Sequence, residues 1–215
     1  METKRYLDQR REYERDSLLE ETAGLEPFVL FARWFKEALE AGVPHANAMT
    51  LATVSPDGKP SARIVLFKDF GEDGFTFFTD YRSTKSEELS SNPHGALVFL
   101  WSSLERQVRM EGKTERTSPE DSDTYFQSRP RGAQLAACTS HQSQVVANRE
   151  LLELRMKELD QRYQEQPIPR PPHWGGYRLI PEMIEFWQGR PNRLNDRLRY
   201  QLSDQGGWTR QRLSP

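Results

Sequence analysis

Between residues 48 and 101 the chain is cut into short runs rich in β-branched and aromatic residues: AMTLATVS at 48–55, ARIVLFKDF at 62–70, GFTFFT at 74–79 and GALVFLW at 95–101. Runs of this length and composition read as strands. The turn residues Pro56-Asp57-Gly58 and Gly71-Glu72-Asp73-Gly74 separate the first three, which predicts hairpins and an antiparallel sheet. In 106–117, Val108, Met110 and Gly112 alternate with charged residues, the pattern of a strand with one wet face. GGYRLIPEMIEFWQG, RLRYQL and WTRQRL supply the last strands, so the C-terminal segment is expected in the sheet.

Around this sheet the period changes. Phe28, Phe31, Trp34, Phe35 and Leu39 recur at helical spacing until Gly42 and Pro44. Ser118-Pro119-Glu120-Asp121 places an N-cap, a first-turn proline and acidic residues in order, which predicts a helix running toward Arg129-Pro130. Residues 148–165, with Leu151, Leu152, Leu154, Met156, Leu159 and Tyr163 among charges, predict another amphipathic helix ending before Pro167. Residues 1–25 are almost all polar and suit a solvated helix or a mobile arm. The whole reads as a strand-rich α+β chain, mainly β, with peripheral helices outside a sheet that curls into a barrel. At 215 residues, one domain over 26–215 preceded by the arm is expected.

Composition removes several functions. With 30 Lys+Arg against 32 Asp+Glu the net charge is −2, so there is no global field for nucleic acid or an anionic membrane. No run approaches the roughly 18–20 apolar residues of a membrane span, and the charged N-terminal segment does not read as a secretory signal. A cytoplasmic protein is expected. The single Cys138 offers no disulfide partner within the chain, and His45, His94, His141 and His173 are scattered, so no metal site is expected.

No glycine-rich phosphate loop is present, so any bound phosphate must be held by side chains. Two basic groups stand out. Arg63 and Lys68 bracket Ile64-Val65-Leu66-Phe67, a run that otherwise favours burial. Their odd spacing sends them to opposite faces of an ideal strand unless a bulge or twist intervenes, and an edge strand with snorkelling side chains explains them equally well. Arg193-Leu194-Asn195-Asp196-Arg197 has the same character, with surface ion pairing as its plain explanation.

Taken in order, Arg10-Arg11-Glu12-Tyr13, Ser61 to Lys68, Arg106-Gln107-Val108, Tyr125-Phe126-Gln127-Ser128-Arg129-Pro130, Ser140-His141-Gln142-Ser143, Trp174-Gly175-Gly176 and Glu185 to Gly189 resemble the pyridoxine (pyridoxamine) 5′-phosphate oxidase family over nearly the whole chain. The resemblance implies an FMN-binding split barrel, a homodimer with flavins at the subunit interface, and oxidation of pyridoxine or pyridoxamine 5′-phosphate to pyridoxal 5′-phosphate with O2 reduced to hydrogen peroxide. It implies that Arg63, Lys85 and Ser143 hold the FMN phosphate. By the same resemblance Ile64, Val65, Leu66, Phe67, Lys68, Phe78, Thr79, Thr84, Gln107, Gln142, Trp187 and Arg197 would complete the flavin site. Lys68, Tyr125, Arg129 and Ala133 would receive the substrate phosphate, Arg193 and Asn195 would act at the substrate ring as catalytic residues, and Arg10 with Tyr13 would close the arm over the site. Three positions depart from the family pattern: Thr84 stands where arginine is usual, Ala133 where serine is, and Asn195 where histidine is. Two other readings therefore stay open, a non-catalytic paralogue that binds pyridoxal phosphate or FMN, and a flavin oxidase acting on another heterocycle, as relatives in phenazine formation do.

Overall fold

A computed structural model describes residues 12–71 and 73–215. Arg10 lies outside the described residues. In chain order the elements are α1 (Glu20–Ala23), α2 (Pro27–Glu40), β1 (Ala48–Val54), β2 (Pro60–Leu66), β3 (Asp69–Gly71), β4 (Gly74–Asp80), α3 (Thr84–Ser91), β5 (His94–Trp101), β6 (Arg106–Arg116), α4 (Pro119–Ser128), α5 (Arg131–Thr139), α6 (Arg149–Arg162), β7 (Trp174–Gln188), β8 (Asp196–Leu202) and β9 (Trp208–Arg212). Hydrogen bonding orders the strands β2-β1-β5-β6-β7-β4-β3, with β8 paired to β7 and β9 to β8. The fold is α+β and mainly β, and each strand pair with a resolved register is antiparallel.

The chain forms two compact units, the first of three segments and the second of two. Among the described residues the first comprises 12–46, 98–110 and 182–215. Its core gathers Leu30, Phe31, Trp34, Phe99, Trp101, Phe186 and Tyr200, all nearly inaccessible to water. Phe31 lies 5.3 Å from Phe99, and Trp34 meets Phe186 edge-on at 5.3 Å. The helical period supplies this core through Phe31 and Trp34, whereas Leu39 at its end is 57% exposed, and Pro27 starts α2 where its missing N–H costs nothing. The Trp101 indole N–H, buried with its ring, donates to the Ala46 carbonyl at 2.9 Å. Leu18 and Ala23 are buried too, so the solvated character read for residues 1–25 does not extend to them.

The second unit comprises residues 47–97 and 111–181. Here the hairpins appear as the turn residues require: β1 pairs with β2 across Pro56-Asp57-Gly58, and β3 with β4 across residues 71–74. Gly74 carries φ +122°, and a Cβ there would stand 2.1 Å from the Leu179 carbonyl oxygen, so only glycine fits. The run 62–70 is two strands rather than one. It breaks after Leu66, where Phe67 N–H donates to the Asn47 carbonyl and Lys68 N–H to the Thr76 carbonyl, so the chain changes partners within two residues. Helix α4 begins as its cap predicts, with the Ser118 hydroxyl accepting from Asp121 N–H at 2.9 Å. Helix α6 is less amphipathic than its spacing suggests: none of its residues is buried, and only Met156 and Leu159 lean on the cluster of Phe126, Leu135, Ala137, Ile168 and Trp174.

Candidate active site

A cavity of about 740 Å3 opens in the second unit, within the size range of cofactor sites. The partner change after Leu66 explains its basic character. With the strand broken, Arg63 on β2 and Lys68 beyond it both line the cavity despite their odd spacing, along with Ile64, Val65 and Leu66. Strand β4 contributes Phe78, Thr79 and Asp80, α3 contributes Lys85, α4 Tyr125 and Ser128, and the following turn Arg129 and Pro130. Ala133, Ala136 and Ala137 of α5, then Ser140, Gln142 and Trp174, complete the wall.

Arg63 is held in place. Its guanidinium bonds the hydroxyls of Thr53 and Ser61 and pairs with Glu88, a carboxylate 5% exposed, at 3.1 Å. Thr53 in turn donates to Glu88 at 2.5 Å. Lys85 is buried, and its ammonium donates to Gln142 Oε1 at 3.0 Å and to the Thr79 and Ser83 hydroxyls at 3.2 Å each. Burial first, and the nearby Arg63 charge second, bring its pKa down to about 8. A buried lysine beside an arginine, bonded to neutral oxygens, is a group whose charge an anionic ligand would stabilise.

A second cationic group sits against aromatic rings. Phe78 stacks on Tyr125 at 4.0 Å and on Trp174 at 5.5 Å, forming a flat apolar wall. Gly176 lets this ring in, since a Cβ there would come within 2.9 Å of Phe78 Cε1. Lys68 Nζ lies 5.6 Å from the Tyr125 centroid and the Arg129 guanidinium 4.7 Å from that of Trp174. Burial lowers the Arg129 pKa, and its Nη1 is buried with no hydrogen-bond partner among the described residues. A buried guanidinium nitrogen without an acceptor is expensive, so this position is built for an incoming oxygen.

Of the residues implied by the resemblance, the cavity brings together Arg63, Ile64, Val65, Leu66, Lys68, Phe78, Thr79, Lys85, Tyr125, Arg129, Ala133 and Gln142. Phe67 is not among its lining residues; it is 5% exposed and packs on Phe70 and Phe75. Thr84 is exposed, and its backbone N–H donates to Ser143 Oγ at 3.3 Å. Tyr13, Gln107, Trp187, Arg193, Asn195 and Arg197 belong to the first unit. There Tyr13 meets Trp187 edge-on at 5.6 Å, Arg197 faces Trp187 across the β7–β8 ladder, and Arg197 Nε donates to Glu185 at 2.8 Å. Arg193 is exposed with φ +61°, and Asn195 Oδ1 accepts from Arg190 N–H at 3.0 Å. Asp80 and Glu88 were not singled out from sequence: a strand-end aspartate and a helical glutamate carry no signal until their neighbours are known, and Trp174, part of a motif of the resemblance, was given no place in the site.

Residues 35–163 match the family model described as pyridoxamine 5′-phosphate oxidase, and residues 174–215 match the pyridoxine 5′-phosphate oxidase C-terminal dimerisation region. The pyridoxine/pyridoxamine 5′-phosphate oxidase of Burkholderia vietnamiensis is 57% identical over 97% of this chain and 98% of that protein. The structure of PhzG from Burkholderia lata, solved with tetrahydrophenazine-1-carboxylic acid, superposes with a TM-score of 0.87 at 31% identity, covering 93% of this chain and 98% of that one. A pyridoxamine 5′-phosphate oxidase-related, FMN-binding protein from Nostoc punctiforme shares the fold at a TM-score of 0.72 and 21% identity, over 89% of this chain and all of that one. Matched over most of its length by family models and by a relative more than half identical, the chain belongs to the pyridoxamine 5′-phosphate oxidase family.

Proposed function

We propose that the protein is an FMN-dependent oxidase that converts pyridoxine or pyridoxamine 5′-phosphate to pyridoxal 5′-phosphate, with O2 reduced to hydrogen peroxide. The observation that carries this reading is the pairing, in one cavity, of two cationic groups tied to different partners: Arg63 with Lys85, and Lys68 with Arg129. Two phosphorylated ligands, a flavin mononucleotide and a phosphorylated vitamer, would account for both. The residues fit FMN on their own chemistry. The cavity is large enough, Lys85 and Arg63 present donors for a phosphate dianion, and Ile64 to Leu66 with Phe78 offer apolar surface to a ring system.

In this reading Arg63 and Lys85 bind the FMN phosphate, while Thr79 and Gln142, already bonded to each other at 2.9 Å, present polar groups beside it. Lys68, Tyr125 and Arg129 orient the vitamer through its phosphate, with Arg129 Nη1 supplying the donor that lacks an acceptor. FMN held there would supply the acceptor for a hydride from the carbon being oxidised and return both electrons to O2, while the alcohol or amine proton goes to solvent and, for the amine, water hydrolyses the resulting imine with release of ammonia. The chain's contribution is placement, charge and exclusion of water. The roles of Gln107, Ser143, Trp187, Arg193, Asn195 and Arg197 rest on the family resemblance, as do those of Arg10 and Tyr13 in closing the arm. A homodimer belongs to the same proposal.

Titration of the purified protein with FMN, followed by quenching of flavin fluorescence, tests the cofactor directly. Saturable quenching and a yellow complex are expected. Unquenched fluorescence with an excess of folded protein would overturn the reading.

A further inference from the structure

We propose that Arg82 is a positioning residue for the phosphate-binding end of the cavity: by joining the Asp80 carboxylate to the Ser140 carbonyl, it cancels a negative charge on the wall and fastens the segment that carries Gln142 and Ser143. The inference rests on the FMN reading above and concerns the flavin-phosphate end of the site, where the chain has Thr84 in place of the arginine the resemblance implies.

Asp80 lines the same cavity as Lys85 and Arg63, and its side chain is only 6% exposed. A buried carboxylate there opposes an incoming dianion unless it is neutralised. Arg82 does this with a forked pair, Nε to Oδ1 at 3.1 Å and Nη2 to Oδ2 at 2.8 Å, while its own backbone N–H donates to Oδ1 at 2.8 Å. Among the described residues Asp80 also acts on the Lys85 ammonium, whose charge it favours, and faces His173, whose Nε2 is 3.9 Å away. Burial, and then the Arg82 charge, hold the His173 pKa below its ordinary value, so at neutral pH the cation bonded to the Asp80 carboxylate is Arg82.

The same Nη2 reaches the Ser140 carbonyl at 3.2 Å. Ser140 opens the short segment whose Gln142 accepts from Lys85 and Thr79 and whose Ser143 accepts from Thr84 N–H. Ser143 sits at φ +70°, a backbone region that non-glycine residues occupy at a cost, so the segment depends on outside ties to keep this shape. Arg82 itself is not among the residues lining the cavity. It therefore acts through Asp80 and the segment, and does not replace the missing arginine as a phosphate ligand.

Riboflavin, which has the ring and lacks the phosphate, separates the two ends of the site. Dissociation constants for FMN and riboflavin are measured on wild type, Arg82→Leu and Arg82→Lys, with the thermal midpoint of each apoprotein as a check on folding. Arg82→Leu is expected to weaken FMN about tenfold while riboflavin changes less than twofold. Arg82→Lys, able to neutralise Asp80 but too narrow to fork, is expected to lose about threefold for FMN alone. Equal weakening of both flavins, or an FMN constant within twofold of wild type in Arg82→Leu, would overturn the proposal. If Arg82→Leu does not fold, Arg82→Lys decides by the same comparison. Wild type that binds neither flavin overturns the functional reading and this proposal together, whereas wild type that binds both with insensitive variants overturns this proposal alone.

Discussion

Lys85 shows how a single side chain ties the site's chemistry to pH. Its ammonium is buried among neutral oxygens, and its pKa falls from the ordinary 10.5 to about 8. Because the folded pKa is the lower one, the unliganded fold carries the cost of this charge below pH 8 and is relieved of it between about 8 and 10.5, so apoprotein stability gains from this group as pH rises through that window. Binding of a phosphate dianion works the other way, since it needs the proton. FMN affinity is expected to fall as pH rises above about 8, by up to tenfold per unit, while riboflavin affinity stays level. Fluorescence titrations at pH 7, 8 and 9 check this. Equal pH dependence for the two flavins would show that Lys85 does not meet the phosphate. The resemblance placed Lys85 at the phosphate, but only the structure supplies the reason for its low pKa, which lies first in burial and then in the Arg63 charge.

At the scale of elements, the β7–β8 ladder carries a buried carboxylate that organises one face of the first unit. Glu185 is 2% exposed and receives Arg197 at 2.8 Å and Arg109 at 3.1 Å. Burial alone would raise its pKa, but the bonds from Arg197 and Arg109 outweigh it and hold the carboxyl below the usual range. Glu185→Gln keeps the shape and removes the charge that both guanidiniums share. Urea denaturation is expected to show a loss of about 2–4 kcal/mol, and a change under 0.5 kcal/mol would mean that the pairing contributes nothing net.

Strands of this ladder were legible in sequence because alternation and turn residues act locally, and so was α4, whose cap and first-turn proline lie within four residues of each other. Helices α3 and α5 were not. Thr84–Ser91 is polar and serine-rich, and Arg131–Thr139 is alanine-rich and short, so neither shows a strong apolar period. The break between β2 and β3 was equally hidden, since the run 62–70 is uniformly β-prone and only the change of partner from Asn47 to Thr76 divides it. That break is what turns Arg63 and Lys68 to the same cavity.

For the molecule as a whole, the apolar surface around the cavity bears on assembly. Ile64 and Leu66 line the cavity yet are 64% and 46% exposed, more than an isolated site would leave to water. A second copy covering them agrees with the match of residues 174–215 to a dimerisation region. Light scattering of the FMN-loaded protein is expected to give twice the chain mass of 25.1 kDa, and a monomer with flavin still bound would contradict this arrangement. The departures at Ala133 and Asn195 fall among the residues implied to hold the substrate, so the identity of the oxidised ring is where the functional account is most exposed. Hydrogen peroxide release by the FMN-loaded protein, measured with pyridoxine 5′-phosphate, with pyridoxamine 5′-phosphate and with neither, tests it most directly. The account expects sustained release with at least one phosphorylated vitamer, matched by formation of pyridoxal 5′-phosphate, and only background without substrate. Protein that holds FMN but releases no peroxide above background with either vitamer would contradict it.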